Sequence, residues 1–299
     1  MHRICEKIGN KCKHIKDNGN CSWLGNDNQP VQCVGAWAED KYYFLERYLN
    51  ATRKVRRVFS DQGNSVFIDL FSGPGRCIFK EKKEEITGGG FRATELNEAP
   101  FNEYIFCDID EKNIAAFRQR TQQKPNCLFY TGDSNKTIES IVSHLKKKDY
   151  RYHFAYIDPF APKNLNFNTL KFLAQLKRMD MFIHFPIGAI KRNLDKNTIL
   201  DSFLGTTVWR NKIFDNNQNI KPDVYHILTD VFKEQLKSIG YPEEGLASGI
   251  SNELPTVSVK NTRNVNLYIL ILASKHELGQ KIWNSIIKID SKGQRSLSF

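Results

Sequence analysis

Between residues 66 and 185 the chain alternates short apolar runs with longer amphipathic stretches. Val66-Phe67-Ile68-Asp69-Leu70-Phe71, Tyr104-Ile105-Phe106-Cys107-Asp108, Cys127-Leu128-Phe129-Tyr130, Phe154-Ala155-Tyr156-Ile157-Asp158 and Met181-Phe182-Ile183-His184-Phe185 have the length and composition of buried strands. Turn residues or prolines stop most of them: Ser72-Gly73-Pro74-Gly75, Gly132-Asp133-Ser134, Pro159 and Pro186. Helix-compatible stretches near 91–98, 111–122, 135–147 and 167–178 lie between. This alternation predicts right-handed crossovers and an α/β fold, a doubly wound, mostly parallel sheet of Rossmann-like type. Ahead of the first strand, Phe44, Leu45, Tyr48, Leu49, Thr52 and Val55 recur at helical spacing and predict an N-terminal amphipathic helix over 37–58.

The flanks differ. Residues 1–35 are polar, rich in Asn, Gly, Lys and Cys, and without a period, so an irregular arm is expected there. Residues 187–222 carry many Asn, Lys and Asp and read as an insertion over one end of the sheet. Val224 to Ile239 is an amphipathic helix closed by Gly240. Residues 255–260 and 266–273 are strand-like, and 276–288 look helical. The expected division is a cysteine-containing arm over 1–35 and one α/β domain over 36–299, with 187–250 as an inserted C-terminal substrate lobe.

Charge narrows the class of partner. The 299 residues include 44 Lys and Arg against 33 Asp and Glu, a formal net charge of +11. Such an excess favours a polyanion, here DNA or RNA, because basic side chains displace condensed counterions. The clusters Arg53-Lys54-Val55-Arg56-Arg57 and Lys146-Lys147-Lys148 read as solvated helix faces. The longest apolar run, Leu267 to Ala273, is far short of the roughly 20 residues of a membrane span. Met1 to Glu6 has no apolar signal stretch, so a cytoplasmic protein with no membrane partner is expected.

Four of the seven cysteines, Cys5, Cys12, Cys21 and Cys33, fall in the first 33 residues. Without a secretion signal a disulfide framework is not expected. Cys5, Cys12, His14 and Cys21 are a conceivable zinc set, since zinc takes four thiolate or imidazole donors. Their spacing lacks a CxxC pair, so reduced cysteines without metal are the preferred reading. Cys77, Cys107 and Cys127 sit in apolar contexts and read as small core residues.

Acidic residues end or closely follow each of the first four strands: Asp69, Asp108 with Asp110, Asp133, and Asp158. Any one suits a turn or a helix cap. Their joint placement at carboxyl strand ends, where doubly wound sheets bind ligands, points to a site. The loop Ile68-Asp69-Leu70-Phe71-Ser72-Gly73-Pro74-Gly75 has small residues for a sharp turn and close ligand approach. It is not the dinucleotide fingerprint, whose third glycine would fall at Ile78. Nicotinamide chemistry is therefore disfavoured.

In order, these motifs resemble class I S-adenosylmethionine-dependent methyltransferases. The resemblance implies a cofactor loop at Asp69, Phe71, Ser72, Gly73 and Gly75. It implies a ribose-gripping acid at Asp108 or Asp110, and an adenine contact at Asp133 and Ser134. Asp158-Pro159-Phe160 resembles the Asp/Asn-Pro-Pro-Tyr/Phe motif used to methylate exocyclic amines, although it has one proline where that motif has two. The same residues, with Trp37-Ala38-Glu39-Asp40-Lys41, Tyr48-Leu49, Phe185-Pro186, Arg192, Tyr268 to His276 and Lys281-Ile282-Trp283, look like the bacterial three-Cys-motif partner (TcmP) family over about residues 33–290. That implies a second, cysteine-motif protein as partner. The family's three cysteines belong to that partner and do not map onto Cys5, Cys12 and Cys21.

In this reading Asp158 and the Pro159 carbonyl accept amine N–H bonds and Phe160 stacks on a base. Lys41 could reach the cofactor carboxylate, a solvated helix face being the equal alternative. Arg192 could bind a phosphate or lie on the surface. His184 reads first as a satisfied core histidine. The rival function is a non-catalytic adaptor that binds a partner protein or nucleic acid on the same fold; the single proline favours it.

Overall fold

The structure, a computed structural model, describes residues 7–8, 11–80, 84–124, 126–241, 254–260 and 265–291. Cys5 lies outside them. The strands are β1 (Lys7–Ile8), β2 (Lys11–Cys12), β3 (Asn20–Leu24), β4 (Pro30–Val34), β5 (Ser65–Asp69), β6 (Arg76–Phe79) and β7 (Glu84–Thr87). There follow β8 (Glu103–Asp108), β9 (Cys127–Thr131), β10 (Tyr152–Ile157), β11 (Met179–Phe185), β12 (Thr256–Lys260) and β13 (Asn266–Ser274). The helices are α1 (Trp37–Ala51), α2 (Arg53–Ser60), α3 (Gly89–Thr94), α4 (Glu111–Arg120), α5 (Ser134–Leu145) and α6 (Phe167–Ala174). Then come α7 (Ile187–Ile190), α8 (Asn197–Leu204), α9 (Trp209–Lys212), α10 (Val224–Ser238) and α11 (Glu277–Ile286).

Among the described residues a seven-stranded sheet has the order β12-β13-β11-β10-β5-β8-β9. β5 runs parallel to β8 and β10, and β8 parallel to β9. β13 is antiparallel to both β11 and β12. The sheet is thus mixed but mostly parallel, the expected Rossmann-like α/β class, and its strands β5, β8, β9, β10 and β11 are the apolar segments of the sequence.

Three expectations are corrected. Among the described residues the segment expected to be irregular carries strands: β3 and β4 pair antiparallel, β4 runs parallel to β6, and β6 pairs antiparallel with β7. These form a four-stranded sheet in which Cys21 and Val31 pack on Ile78. The chain after Gly75 therefore enters the β6–β7 hairpin before it reaches α3. It returns at Gly88, whose N–H donates to Gly75 O at 2.8 Å. Second, the helix expected over 37–58 is two helices, broken at Thr52 (φ −86°, ψ 1°). The Thr52 hydroxyl bonds back to the Tyr48 and Leu49 carbonyls, the local competition that bends helices. Third, Cys127 is only half-buried on the edge strand β9, whereas Cys77 and Cys107 are core residues.

By its internal contacts the chain forms two compact units. The first comprises Met1–Ser134, Tyr150–Tyr156 and Lys288–Phe299. Its centre is aromatic: Phe67 packs against Phe101, Tyr104, Phe106 and Phe154, and Phe106 stacks on Phe117 at 4.2 Å. Arg120, at the end of α4, clamps the β3–β4 connection. Its Nε and Nη2 donate to the Asp27 carboxylate at 2.7 and 2.8 Å, and its Nη1 donates to Pro30 O and Pro74 O at 2.9 and 2.5 Å. The bond from Arg120 holds the Asp27 carboxyl at a pKa of about 2, down from 3.8. A lowered carboxyl pKa stabilises the fold above the unfolded value and loses that contribution as pH falls through the folded one. In urea unfolding, the stability gap between wild type and Arg120→Ala is expected to narrow from pH 4 toward pH 2. A gap independent of pH over that interval would show that the ion pair contributes nothing.

The second unit comprises Asn135–Asp149 and Ile157–Ile287. Phe185, Phe203 and Phe232 pack together, with Phe167 edge-on to Phe232. Trp283, fully buried on α11, donates from its indole to Pro255 O at 2.9 Å. No helix among the described residues is long and apolar enough to cross a membrane.

Candidate active site

In the first unit the carboxyl ends of β5 and β8 are tied together. Asp69, the last residue of β5, is buried, and its Oδ1 accepts from Phe71 N at 3.0 Å. The loop turns through Gly73 (φ +56°) and Gly75 (φ +83°), left-handed conformations that glycine adopts without strain. A Cβ on Gly75 would lie 2.9 Å from the Phe117 ring. Ser72 N donates to Cys107 O at 2.9 Å, and Gly73 N to Asp108 Oδ2 at 2.9 Å. The other Asp108 oxygen accepts from Asp110 N at 2.9 Å and Asn113 Nδ2 at 3.0 Å. Burial pushes the Asp108 carboxyl pKa up, and the bonds from Asp110, Asn113 and Gly73 oppose it.

The two candidate ribose acids separate here. Asp110 caps α4: its Oδ1 accepts from Lys112 N at 2.9 Å, and its Oδ2 accepts from Asn18 Nδ2 at 2.7 Å. Asp108 is the acid bonded to the glycine loop. Gly132 N donates to Asp108 O at 2.9 Å, which sets the turn carrying Asp133 and Ser134 beside the same strand end. Lys41 is 5% exposed on α1, so the solvated helix face weighed for it is not what the structure has.

Some residues beside this site carried no signal in the sequence. Asn18, Asn20 and Asn113 are such residues, and Ile109 is another. Ile109 stands 72% exposed between Asp108 and Asp110, an apolar side chain left open beside an acid. An apolar residue between two acids at a strand end is the only trace that could have flagged it.

In the second unit Asp158 follows β10, with its Oδ1 3.1 Å from His184 Nδ1. His184 on β11 is fully buried, edge-on to Phe182 and Tyr268 at 5.3 and 6.2 Å between ring centres. It is buried as expected, and the Asp158 carboxylate is against it. Pro159 is buried while Phe160 is 68% exposed, unusual for an aromatic ring. Arg192 is exposed and donates to Gly188 O at 2.9 Å.

Among the described residues no group of His, Cys, Asp or Glu is gathered to hold a metal ion. His14 Nδ1 is 2.9 Å from Ser22 Oγ, and its ring lies against Trp23. Cys21 is buried in the apolar cluster with Val31 and Ile78. A bond with Cys21, then burial, pushes the Cys33 thiol pKa up, away from the thiolate a metal requires.

No protein-family model and no curated protein sequence matches the chain. Solved structures with a distantly similar course exist. An O-methyltransferase from Bacillus cereus in complex with SAH aligns over 77% of this chain and 90% of its own, at 12% identity and a TM-score of 0.39. Trm1 from Pyrococcus horikoshii with S-adenosyl-L-methionine aligns over 90% and 67%, at 12% identity and 0.41. Magnesium protoporphyrin IX methyltransferase from Synechocystis PCC 6803 with bound SAM aligns over 76% and 81%, at 11% identity and 0.34. Likeness this distant carries no argument about activity.

Proposed function

We propose that the chain is an S-adenosylmethionine-dependent methyltransferase acting on nucleic acid, at a base amino group, and working with a cysteine-motif partner protein as its resemblance to the three-Cys-motif partner family implies. The observation that carries this reading is the Gly73 N–H bonded to Asp108, beside the exposed Ile109. A backbone that turns tightly onto an acid, next to an open apolar side chain, suits a hydroxyl-bearing sugar joined to a flat ring. When bound, the sulfonium donor supplies an already activated methyl group.

The chain's own residues bind and orient. Asp110 N, Asn113 Nδ2 and Gly73 N take three of the acceptor positions of Asp108 and leave one on Oδ2 for a ribose hydroxyl, since each carboxylate oxygen takes two donors. Asp69 holds the loop through Phe71, and Ile109 with Asp133 and Ser134 contacts the adenine. Lys41 is assigned to the donor's carboxylate. On the acceptor side Asp158 and the Pro159 carbonyl take amine N–H bonds, His184 lies against Asp158, and Phe160 stacks on a base met single-stranded or flipped out. Arg192 and the surplus of basic residues serve the phosphates, and residues 187–250 form the substrate lobe. A cytoplasmic location and a cysteine-motif partner protein belong to the same reading.

Calorimetric titration with S-adenosylmethionine tests it. Wild type is expected to bind in the micromolar range, about −8 kcal/mol, and Asp69→Ala to lose that binding. No heat from wild type at millimolar ligand would overturn the assignment. The second reading, a non-catalytic adaptor, is favoured by the single proline after Asp158. Donor binding without methyl incorporation into DNA or RNA would select it.

A further inference from the structure

The turn Lys16–Asn20 delivers two asparagines to the acids at the end of β8. Gly19 N donates to Lys16 O and Lys16 N to Asn20 O, both at 2.9 Å, with Gly19 at φ +84°. Asn20 N in turn donates to Asn18 Oδ1 at 3.0 Å. From this turn Asn20 Nδ2 donates to Asn113 Oδ1 at 2.7 Å, and Asn113 Nδ2 donates to Asp108 Oδ1 at 3.0 Å. Asn20 and Asn113 are 4% and 2% exposed.

An amide has one accepting oxygen and one donating nitrogen. The Asn113 nitrogen faces a carboxylate, so its oxygen needs a donor on the other side. Asn20 supplies that donor and so fixes which way the Asn113 amide points. The arrangement is not the most stable filling of the space. Among the described residues Asn20 Oδ1 is buried with no donor, a deficit that ordinarily costs about 1–3 kcal/mol. A partly satisfied buried network is worse for stability than apolar packing, so stability alone does not account for an asparagine here.

We propose that Asn20 is a positioning residue of the donor site: through Asn113 it aims the Asp108 carboxylate at the donor's ribose. The cysteine-bearing N-terminal segment, outside the family resemblance, thereby becomes part of donor recognition. This rests on the methyltransferase reading above. Its distinctive consequence concerns the ribose alone. A residue that merely supports the fold weakens every ligand alike, whereas one that aims Asp108 matters only when the hydroxyls are present.

The test is calorimetric titration of wild type and Asn20→Ala with S-adenosylhomocysteine and with its 2′,3′-dideoxy analogue, alongside thermal melting. Asn20→Ala is expected to weaken S-adenosylhomocysteine about tenfold, or about 1.4 kcal/mol, and the dideoxy analogue less than about twofold. Equal weakening of both ligands, or of neither, overturns the proposal while leaving the donor site standing. Wild type that binds neither ligand overturns the donor reading and this inference with it. If Asn20→Ala loses its cooperative melt, Asn20→Ser is read by the same two-ligand comparison.

Discussion

Asp158→Ala is expected to lower methyl transfer by about 10²–10⁴-fold, the range of a positioned acid–base group, with donor affinity unchanged. The carboxylate lies against the buried imidazole of His184 at 3.1 Å and beside the exposed ring of Phe160. An amine approaching the donor must present its lone pair, and its N–H bonds set that orientation. Asp158→Asn keeps a carbonyl acceptor and is expected to retain more activity than the alanine variant. The measurement is transfer of labelled methyl from S-adenosylmethionine to DNA and to RNA, assayed separately, with calorimetry on the same preparations. Wild-type transfer by Asp158→Ala would remove this residue from the mechanism.

The second large effect falls on stability. Arg56 is 1% exposed on α2. Its Nε donates to Ala99 O at 2.7 Å, its Nη1 to Leu49 O at 2.8 Å, and its Nη2 to Glu98 O at 3.3 Å. The guanidinium lies over the Phe101 ring at 4.9 Å. Burial pushes its pKa down. It also holds the carbonyl of Ala99, whose φ of +47° is unusual for a residue other than glycine. Arg56→Ala leaves three carbonyls without this donor and a space beside Phe101, and is expected to cost about 3–5 kcal/mol in chemical denaturation. Arg56→Lys recovers only part, because one ammonium cannot serve three directions at once. A loss under about 0.5 kcal/mol for the alanine variant would mean the loop over Glu98 and Ala99 holds itself.

Arg56 also marks where sequence reading fails. It stands in the run Arg53-Lys54-Val55-Arg56-Arg57, which reads as one solvated face. Arg53 and Arg57 do reach outward to Glu98. Arg56 turns inward because the carbonyls of Glu98 and Ala99, distant in sequence, accept its bonds together with that of Leu49, and no periodicity reports such distant acceptors. The central strands were legible because burial on both faces leaves continuous apolar runs. β3, β4 and β7 were not, being short and only partly buried. Asp69, Asp108 and the glycine loop were legible because a turn at a strand end restricts residue type. The asparagines at 18, 20 and 113 were not, since bonds from Asn18 to Asp110 and from Asn20 to Asn113 join side chains far apart in sequence and leave no spacing to read.

The closure between Gly75 and Gly88 separates two parts of the chain that sequence joins. The hairpin leaves and returns at almost one point, with Arg76 opposite Thr87 and Phe79 opposite Glu84. Residues gained or lost beyond Phe79 and Glu84 lengthen or shorten an excursion whose two feet stay fixed. The loop after Asp69 is thereby insulated from the length of the hairpin, and a reporter peptide inserted in that hairpin is expected to leave the turn at Asp69 unaltered.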